Sequence, residues 1–92
     1  MEELIAKVEE LLSIHFPSQS NKFEIEETVP SEKIGGSFIT QCFDGIDQVD
    51  RQTVMRQMLR EQLSREEYLK LGVIFTMTPQ EVAASNEHAV AA

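Results

Sequence analysis

Apolar residues recur at steps of three and four through the first fifteen positions, which is the spacing of one face of an α-helix. The residues of this series are Leu4, Ile5, Val8, Leu11, Leu12 and His15. Glutamates lie mostly on the other faces and near the start, where the helix dipole favours negative charge, and a proline at position 17 stops the helix. The pattern predicts an amphipathic helix over residues 2–15, with His15 in a structural role at its carboxyl end.

Alternation of charged and apolar residues replaces the helical spacing at residues 22–26, which predicts a strand with one buried face. Residues 28–36 contain a proline and a glycine pair, and we interpret them as the connection to a second strand at residues 37–43. The two strands are expected to pair as an antiparallel hairpin. The side chains expected to be buried here are Phe23, Ile25, Phe38, Ile39, Cys42 and Phe43. The glycines at positions 35 and 36 could cradle a phosphate group, but a turn is the far more frequent role of such a pair.

The strongest helical pattern lies at residues 49–63, with Asp47 as its candidate amino-terminal cap. The apolar stripe predicted to be buried contains Val54, Met55, Met58, Leu59 and Leu63. The polar residues that recur every fourth position on another face are Gln52, Arg56 and Arg60. Ion pairs between positions i and i+4, such as Asp47 with Arg51, are expected on the solvated side of this helix.

The last part of the chain contains two further helix starts, one on each side of a strand. Ser64 with Glu67 matches a capping box and predicts one short helical turn. Residues 71–77 form a continuous apolar run, which is typical of a strand covered on both faces, and Gly72 indicates a close approach of backbones or a bulge. Residues 78–81 read Thr-Pro-Gln-Glu, which places a cap, a proline at the first helical position and a second capping box in order.

Length and charge bound the possible roles of the protein. Its 92 residues allow one modest core, so we predict one domain over residues 1–84 and a flexible tail over residues 85–92. The formal net charge is −8, from 16 acidic and 8 basic residues, which disfavours binding to nucleic acid or to an anionic membrane. The basic residues that nevertheless cluster within twenty positions are Arg51, Arg56, Arg60, Arg65 and Lys70. Such a cluster is usually a set of solvated helix faces and less often a binding patch.

Cysteine usage and targeting signals indicate the compartment. Cys42 is the single cysteine and cannot form an internal disulfide, which fits a reducing environment. No stretch approaches the ~20 apolar residues of a membrane span, and the acidic start lacks the features of a signal peptide, so we expect a cytoplasmic protein. Asp44 and Asp47 are not accompanied by a nucleophile with its base, a metal cluster or a cofactor loop. We therefore expect no enzymatic activity.

Short motifs flank the main helix. Phe43-Asp44-Gly45 precedes it, Val49 and Arg51 open it, and Thr76-Met77-Thr78-Pro79 ends the last strand. These segments resemble the BolA family, which carries a Phe-x-Gly turn, a Val, an Arg-His-Arg-like element and a closing Thr-x-Thr-Pro segment. The resemblance covers the second half of the chain by motif and the first half by the order of elements.

The resemblance implies both a fold and a function. The implied fold is α+β, BolA-like and related to class II KH domains. Its order is α-β-β-α-(short α)-β-α, and helices cover one face of a three-stranded sheet. The implied function is partnership with a monothiol glutaredoxin in iron homeostasis, in an apo complex or with a shared [2Fe-2S] cluster. Some members of the family are described as DNA-binding regulators, so a nucleic-acid-binding transcriptional regulator of KH-like fold is the alternative. The Gly-x-x-Gly loop with which KH domains clamp a nucleic-acid backbone is absent from this sequence.

The sequence departs from the family at the positions of its metal ligands. Lys70 aligns with the closing histidine that ligates the cluster, and an ammonium group cannot replace an imidazole as a ligand. Gln52 stands at the middle position of the Arg-His-Arg element. The connection at residues 28–36 contains no histidine or cysteine, although family members place a second ligand there. We therefore predict no cluster ligation of the family type, no metal site and no cofactor.

The function that these observations predict is that of a non-catalytic interaction and regulatory module in iron or redox homeostasis and the stress response. The partner is expected to be a protein, with a monothiol glutaredoxin as the one implied by the resemblance. The residues predicted to bind it are Arg51, Gln52, Arg56, Arg60 and Lys70. The edge of the strand at residues 71–77 is expected to complete this surface.

Overall fold

The computed structural model describes residues 2–28 and 32–84 and shows an α+β fold built on a three-stranded sheet. Its elements in chain order are α1 (Glu2–His15), β1 (Lys22–Thr28), β2 (Lys33–Ile39), a 3-10 turn (Gln41–Phe43), α2 (Gln48–Gln62), α3 (Arg65–Leu69) and β3 (Leu71–Met77). A last helix, α4, begins at residue 79 and is described as far as residue 84. The predicted α+β class is confirmed, whereas the predicted flexible tail at residues 85–92 lies outside the described residues.

The sheet is mixed, with strand order β1-β2-β3. β1 pairs with β2 in the antiparallel sense, so that Phe23 lies opposite Phe38, and the predicted hairpin is confirmed. β2 pairs with β3 in the parallel sense, and α2 and α3 form the connection between them. Since β2 is central, β1 and β3 each have one edge without a neighbouring strand among residues 2–28 and 32–84.

The core lies between one face of the sheet and the helices α1 and α2. Its buried members are Leu4, Val8 and Leu12 of α1, Ile34 and Phe38 of β2, Phe43, Met55, Met58, Leu59 and Leu63 in and around α2, and Leu71 and Ile74 of β3. Phe23 and Ile25 of β1 pack against this cluster, as predicted, and the ring of Phe23 stacks on that of Phe38 at 5.1 Å. Each large side chain fully removed from water contributes about 1.5–3 kcal/mol, so this layer is the main source of stability.

Two side chains assigned to the apolar stripes are exposed instead. Val54 is 52% exposed, because a turn of roughly 100° per residue puts it about a third of a turn from the middle of the face buried through Met55 and Leu59. His15 is exposed at the end of α1. Phe16 closes the core there, with its ring 5.2 Å from that of Phe43.

The glycine pair lies inside β2 and not in the connection before it, which corrects the predicted start of this strand. Gly36 has φ +145°, and a Cβ built on it would lie 1.8 Å from the carbonyl oxygen of Glu24 on β1. The glycine is therefore required by the close approach of the two strands. The strand also ends earlier than predicted, at Ile39, because residues 41–43 form the 3-10 turn; Cys42 within it is half-buried.

β3 is covered on one face only, although its sequence predicts cover on both. Val73 and Phe75 are 63% and 60% exposed, whereas Ile74 is fully buried. Between the pairs of Ile34 with Leu71 and of Gly36 with Ile74, β3 advances three residues while β2 advances two, which is a β-bulge. A Cβ on Gly72 would lie 3.2 Å from the carbonyl oxygen of Ile34, so the predicted bulge and close approach are both confirmed.

We predict that Gly36→Ala destabilises the protein far more than Gly45→Ala. Both glycines have positive φ, but a Cβ on Gly45 meets nothing within 4 Å, whereas one on Gly36 overlaps the backbone of β1. Backbone strain costs about 1–2 kcal/mol in either case, and the steric overlap adds roughly 1–3 kcal/mol at Gly36 alone. Urea unfolding of the two variants measures the difference, and equal losses would contradict the role assigned to Gly36.

Candidate partner-binding groove at the α2–α3 corner

Polar side chains of α2 bind the outer edge of β3. Gln48 and Gln52 each donate from Nε2 at 2.8 Å, to the carbonyl oxygens of Thr76 and Ile74 respectively. Arg56 donates from Nη2 to the carbonyl oxygen of Gly72. The three donors follow one another at intervals of four on the helix, and the three acceptors at intervals of two on the strand. Because 5.4 Å per helical turn nearly matches two strand residues, one helix face can serve the whole edge.

This arrangement satisfies backbone acceptors that would otherwise face an open edge. Unpaired carbonyl groups on an edge strand invite pairing with a strand of another chain. The sequence predicts that Gln52 and Arg56 bind a partner, but their side chains bind β3 itself. The edge of β3 that is predicted to complete the partner-binding surface is therefore occupied by side chains of α2. Sequence periodicity found the stripe, but its pairing with β3 required the tertiary structure.

Arg51 is buried and holds the start of α4. It is 5% exposed, and its Nη1 and Nη2 donate to the two carboxylate oxygens of Glu81 at 2.7 and 3.1 Å. Its Nε donates to the carbonyl oxygen of Ile46 at 2.6 Å, and its Cζ lies 5.8 Å from the centre of the Phe43 ring. The predicted pairing of Arg51 with Asp47 is wrong, because the guanidinium points inward to Glu81.

Glu81 also completes the second capping box, which confirms that prediction. Its carboxylate accepts from the backbone N–H of Thr78 at 2.8 Å, and its own N–H donates to Thr78 Oγ1 at 3.2 Å. The bonds from Arg51, and after them the bond from Thr78, lower the pKa of the Glu81 carboxyl below its ordinary value. The short helix α4 is therefore fixed to α2 through an ion pair with two hydrogen bonds.

α3 is positioned by a capping box and an ion pair with α1. Ser64 Oγ accepts from the N–H of Glu67, and Glu67 accepts from the N–H of Ser64, as the sequence predicted. Lys7 of α1 donates to the Glu67 carboxylate at 3.0 Å. The backbone bond from Ser64 and then the bond from Lys7 lower the pKa of Glu67. α3 consequently holds Tyr68 against the core beside α2.

A groove of about 680 Å³ lies between the outer side of α2 and Tyr68. The residues around it are Thr53, Arg56, Gln57, Arg60, Glu61 and Tyr68. An adjoining depression of about 480 Å³ shares two of these residues and is lined by Arg60, Arg65, Tyr68 and Leu69. We name the two together the α2–α3 groove. It combines one aromatic ring with three guanidinium groups and one carboxylate.

The charge in this groove is not neutralised by the described residues. The ion pairs of residues 2–28 and 32–84 use Lys7, Lys22 and Arg51 as their basic partners. Arg56 binds a neutral carbonyl group, and neither Arg60 nor Arg65 is part of a described ion pair. In a chain of net charge −8, three arginines without acidic partners therefore converge on one concave surface.

The five residues predicted to bind a partner thus divide by position. Arg51 is buried, Gln52 binds β3, Arg56 both binds β3 and lines the α2–α3 groove, and Arg60 lies in that groove. Lys70 lies at the carboxyl cap of α3, in a separate depression with Lys7 and Glu67. The prediction missed Tyr68 and Arg65 as residues of the groove. Arg65 belonged to the basic cluster in the sequence, but no sequence signal showed that α3 would place it beside Arg60.

The side chains around Lys70 do not fit a [2Fe-2S] cluster. An ammonium group has no lone pair to offer a metal, and the other residues around this depression are Glu3, Leu4, Lys7 and Glu67. In the described part of the chain, no group of three or more histidine, cysteine, aspartate or glutamate residues could hold a metal ion. The thiol of Cys42 donates to the carbonyl oxygen of Pro17 at 3.3 Å.

No protein-family model matches the chain, and comparisons with curated proteins and with solved structures found no match either. Within the described ranges, no helix has both the length and the apolar character needed to cross a bilayer. The assignment of a function therefore rests on the chemistry of the surfaces described above.

We predict that Gln52→Leu destabilises the protein by about 1–3 kcal/mol, because it removes donors from the Ile74 carbonyl and from Thr76 Oγ1. Gln57→Leu is the matched control, since the described hydrogen bond of Gln57 is one of 3.5 Å to exposed Glu61. Its effect should stay within about 0.5 kcal/mol. Urea unfolding measures both variants, and a loss no larger for Gln52→Leu than for Gln57→Leu would refute the edge-capping role.

We also predict that Glu81→Gln makes stability less dependent on acidic pH. Because the pKa of Glu81 is lowered by folding, its ionised form stabilises the protein above the ordinary glutamate pKa of about 4.3. This contribution is lost as pH falls through the lowered pKa. The free energy of unfolding of Glu81→Gln should therefore decline less steeply below about pH 5 than that of the wild type. Glu10→Gln, an equal charge change on the exposed side of α1, should keep the wild-type slope.

Proposed function

We propose that this protein is a non-catalytic protein-binding module of the BolA-like, class II KH-like fold, and that it binds an acidic protein surface through the α2–α3 groove. The observation that carries the proposal is the convergence of Arg56, Arg60 and Arg65 around Tyr68 without acidic partners among the described residues. Arginine and tyrosine are enriched at the energetically important positions of protein interfaces.

The fold supports the BolA-like part of this proposal. The described elements follow the order helix, strand, strand, helix, short helix, strand, helix, and helices cover one face of the sheet. The Phe43-Asp44-Gly45 segment forms the turn before α2, with Gly45 at φ +77°. Thr78 and Pro79 open α4 directly after β3. Each motif on which the resemblance rests thus lies at a junction between elements.

The partner that the resemblance favours is a monothiol glutaredoxin in iron or redox homeostasis. Binding would use the α2–α3 groove and, in a separate depression, Lys70 at the end of α3. Because Lys70 replaces the family's histidine ligand, we propose a complex that forms without ligation of a cluster by this chain. Arginine suits such a site, since its planar guanidinium group binds carboxylates with two hydrogen bonds.

A nucleic-acid-binding role is less compatible with the surface. A net charge of −8 repels the phosphate backbone at long range, and Glu61 adds a carboxylate to the groove itself. We therefore do not propose nucleic-acid binding as a second function, and the binding experiments test for it as a contradicting result.

We predict that the protein forms a complex with a monothiol glutaredoxin in the absence of iron, seen by size-exclusion chromatography. The double variant Arg60→Glu/Arg65→Glu should raise Kd by about tenfold or more, equivalent to about 1.4 kcal/mol, as measured by isothermal titration calorimetry. The affinity should fall as salt is raised, because the contacts are between charges.

Lys22→Glu is the control, since it makes one such charge reversal at an exposed residue at the start of β1, the edge strand on the opposite side of the sheet from β3. Two further results would count against the proposal. Equal affinity of the groove variant and the control would exclude the groove, and an altered visible spectrum with iron, sulfide and glutathione would show that the chain ligates a cluster. Binding of duplex DNA or RNA at low salt, lost in the groove variant, would instead favour the nucleic-acid role.

A further inference from the structure

The face of the sheet turned away from the helices presents three parallel columns of different chemistry, one on each strand. The register places Phe75 of β3 beside Ser37 of β2, and Ser37 beside Glu24 of β1. In the neighbouring row of the same face, two residues from Glu24 and from Ser37, Glu26 lies beside Gly35, and Gly35 closely approaches the backbone of Val73. At these positions the columns are therefore apolar on β3, small on β2 and acidic on β1. In the next row, Ile39 of β2 lies between Lys22 and Met77. We call this surface the open sheet face.

The apolar column is exposed to solvent in the described structure. Val73 and Phe75 are 63% and 60% exposed and, two residues apart on one strand, point to the same side. A large aromatic side chain beside a β-branched one forms a raised apolar ridge at the edge of the sheet. Burying both against a partner would contribute about 1.5–3 kcal/mol for each fully covered side chain.

The central column is low beside Val73 and Phe75, where β2 carries Gly35 and Ser37, and the side chain of Ile39 closes it at the end beside Met77. A Cβ on Gly35 would lie 2.7 Å from the carbonyl oxygen of Val73, so the strand pairing itself requires a residue without a side chain there. Ser37, the next residue on this face, is small and half-buried. The result is a shallow trough between the ridge on β3 and the longer side chains of β1.

The third column is acidic and largely unpaired. Glu24 and Glu26 are exposed, and the described ion pair of this column joins Lys22 to Glu24 at 3.7 Å with both side chains more than half exposed. Such a pair contributes little and is easily exchanged for another cation. The net charge of −8 adds a long-range attraction for basic partners and repels anionic lipid.

The dimensions of the trough fit an α-helix. Strands lie about 4.8 Å apart, so the ridge and the acidic column are separated by about 10 Å, close to the 10–12 Å diameter of a helix with its side chains. The three strand residues from 73 to 75 extend over about 10 Å, which is about two helical turns. A helix in the trough would face the ridge with one side and the acidic column with another.

We propose that the open sheet face binds a basic amphipathic α-helix of a partner protein, with its apolar stripe against Val73 and Phe75 and its lysines or arginines against Glu24 and Glu26. An added strand is disfavoured on the β3 side, since α2 side chains already bind the outer carbonyl groups of that strand. The open sheet face and the α2–α3 groove are separate surfaces, and this inference does not depend on the glutaredoxin complex.

The experiment measures binding of a fluorescent peptide of about 18 residues, five turns of helix, built from leucine and lysine with every leucine on one helical face. A peptide of the same composition in scrambled order has equal charge but no apolar face. Fluorescence anisotropy with the full chain should show at least about tenfold tighter binding of the amphipathic peptide. The preference should remain in Arg60→Glu/Arg65→Glu, which changes the other surface.

Two pairs of variants separate the contributions of the columns. Val73→Ser/Phe75→Ser should weaken binding of the amphipathic peptide by about tenfold or more, whereas Val49→Ser, at a 75% exposed valine on α2, should not change it. Glu24→Lys/Glu26→Lys should weaken binding and reduce its dependence on salt, and Glu2→Lys/Glu10→Lys is the matched control on α1. All these positions are exposed, so circular dichroism should show unchanged folding.

Three outcomes would overturn the proposal. The first is equal binding of the amphipathic and scrambled peptides, which would reduce the effect to net charge. The second is unchanged binding in Val73→Ser/Phe75→Ser. The third is a dimer in sedimentation velocity that this variant abolishes, combined with no peptide preference, which would assign the open sheet face to a second copy of the chain.

Discussion

The outer carbonyl groups of β3 need donors, and α2 supplies them. An edge strand loses half of its possible backbone partners, and here the side chains of Gln48, Gln52 and Arg56 take the place of a neighbouring strand. These bonds fix the rotation of α2 about its own axis. The same rotation turns Met55 and Leu59 into the core and leaves Arg60 beside Tyr68. Core and groove therefore depend on one row of polar contacts.

The sheet separates two surfaces of opposite character. On the helical side, the α2–α3 groove gathers guanidinium groups, while the open sheet face carries an apolar ridge beside carboxylates. This segregation means that the net charge of −8 describes neither surface well. Because the two surfaces are separate, the two partners proposed for them can bind at the same time.

Local signals in the sequence predicted most of the secondary structure. The two capping boxes, at Ser64 and at Thr78, mark where α3 and α4 start through bonds within four residues, so local sequence predicts these starts. The distant residues Lys7 and Arg51 then hold the two starts against the neighbouring helices. Helical spacing likewise predicted α1 and α2. The errors occur where a distant partner decides: Gly36 lies inside β2 because of β1, and Arg51 pairs with Glu81, thirty positions away, and not with Asp47.

The sequence by itself determined the α+β class, the order of the elements and the acidic net charge, because these follow from periodicity, caps and composition. The tertiary structure decided what each polar residue does. Gln52, Arg56 and Arg60 are equivalent members of one stripe in the sequence, yet Gln52 binds β3, Arg60 lies in the α2–α3 groove, and Arg56 does both. The length of β3 and the position of α3 distinguish them. β3 provides carbonyl groups that Gln52 and Arg56 bind, whereas α3 provides Tyr68, which lines the groove with Arg60.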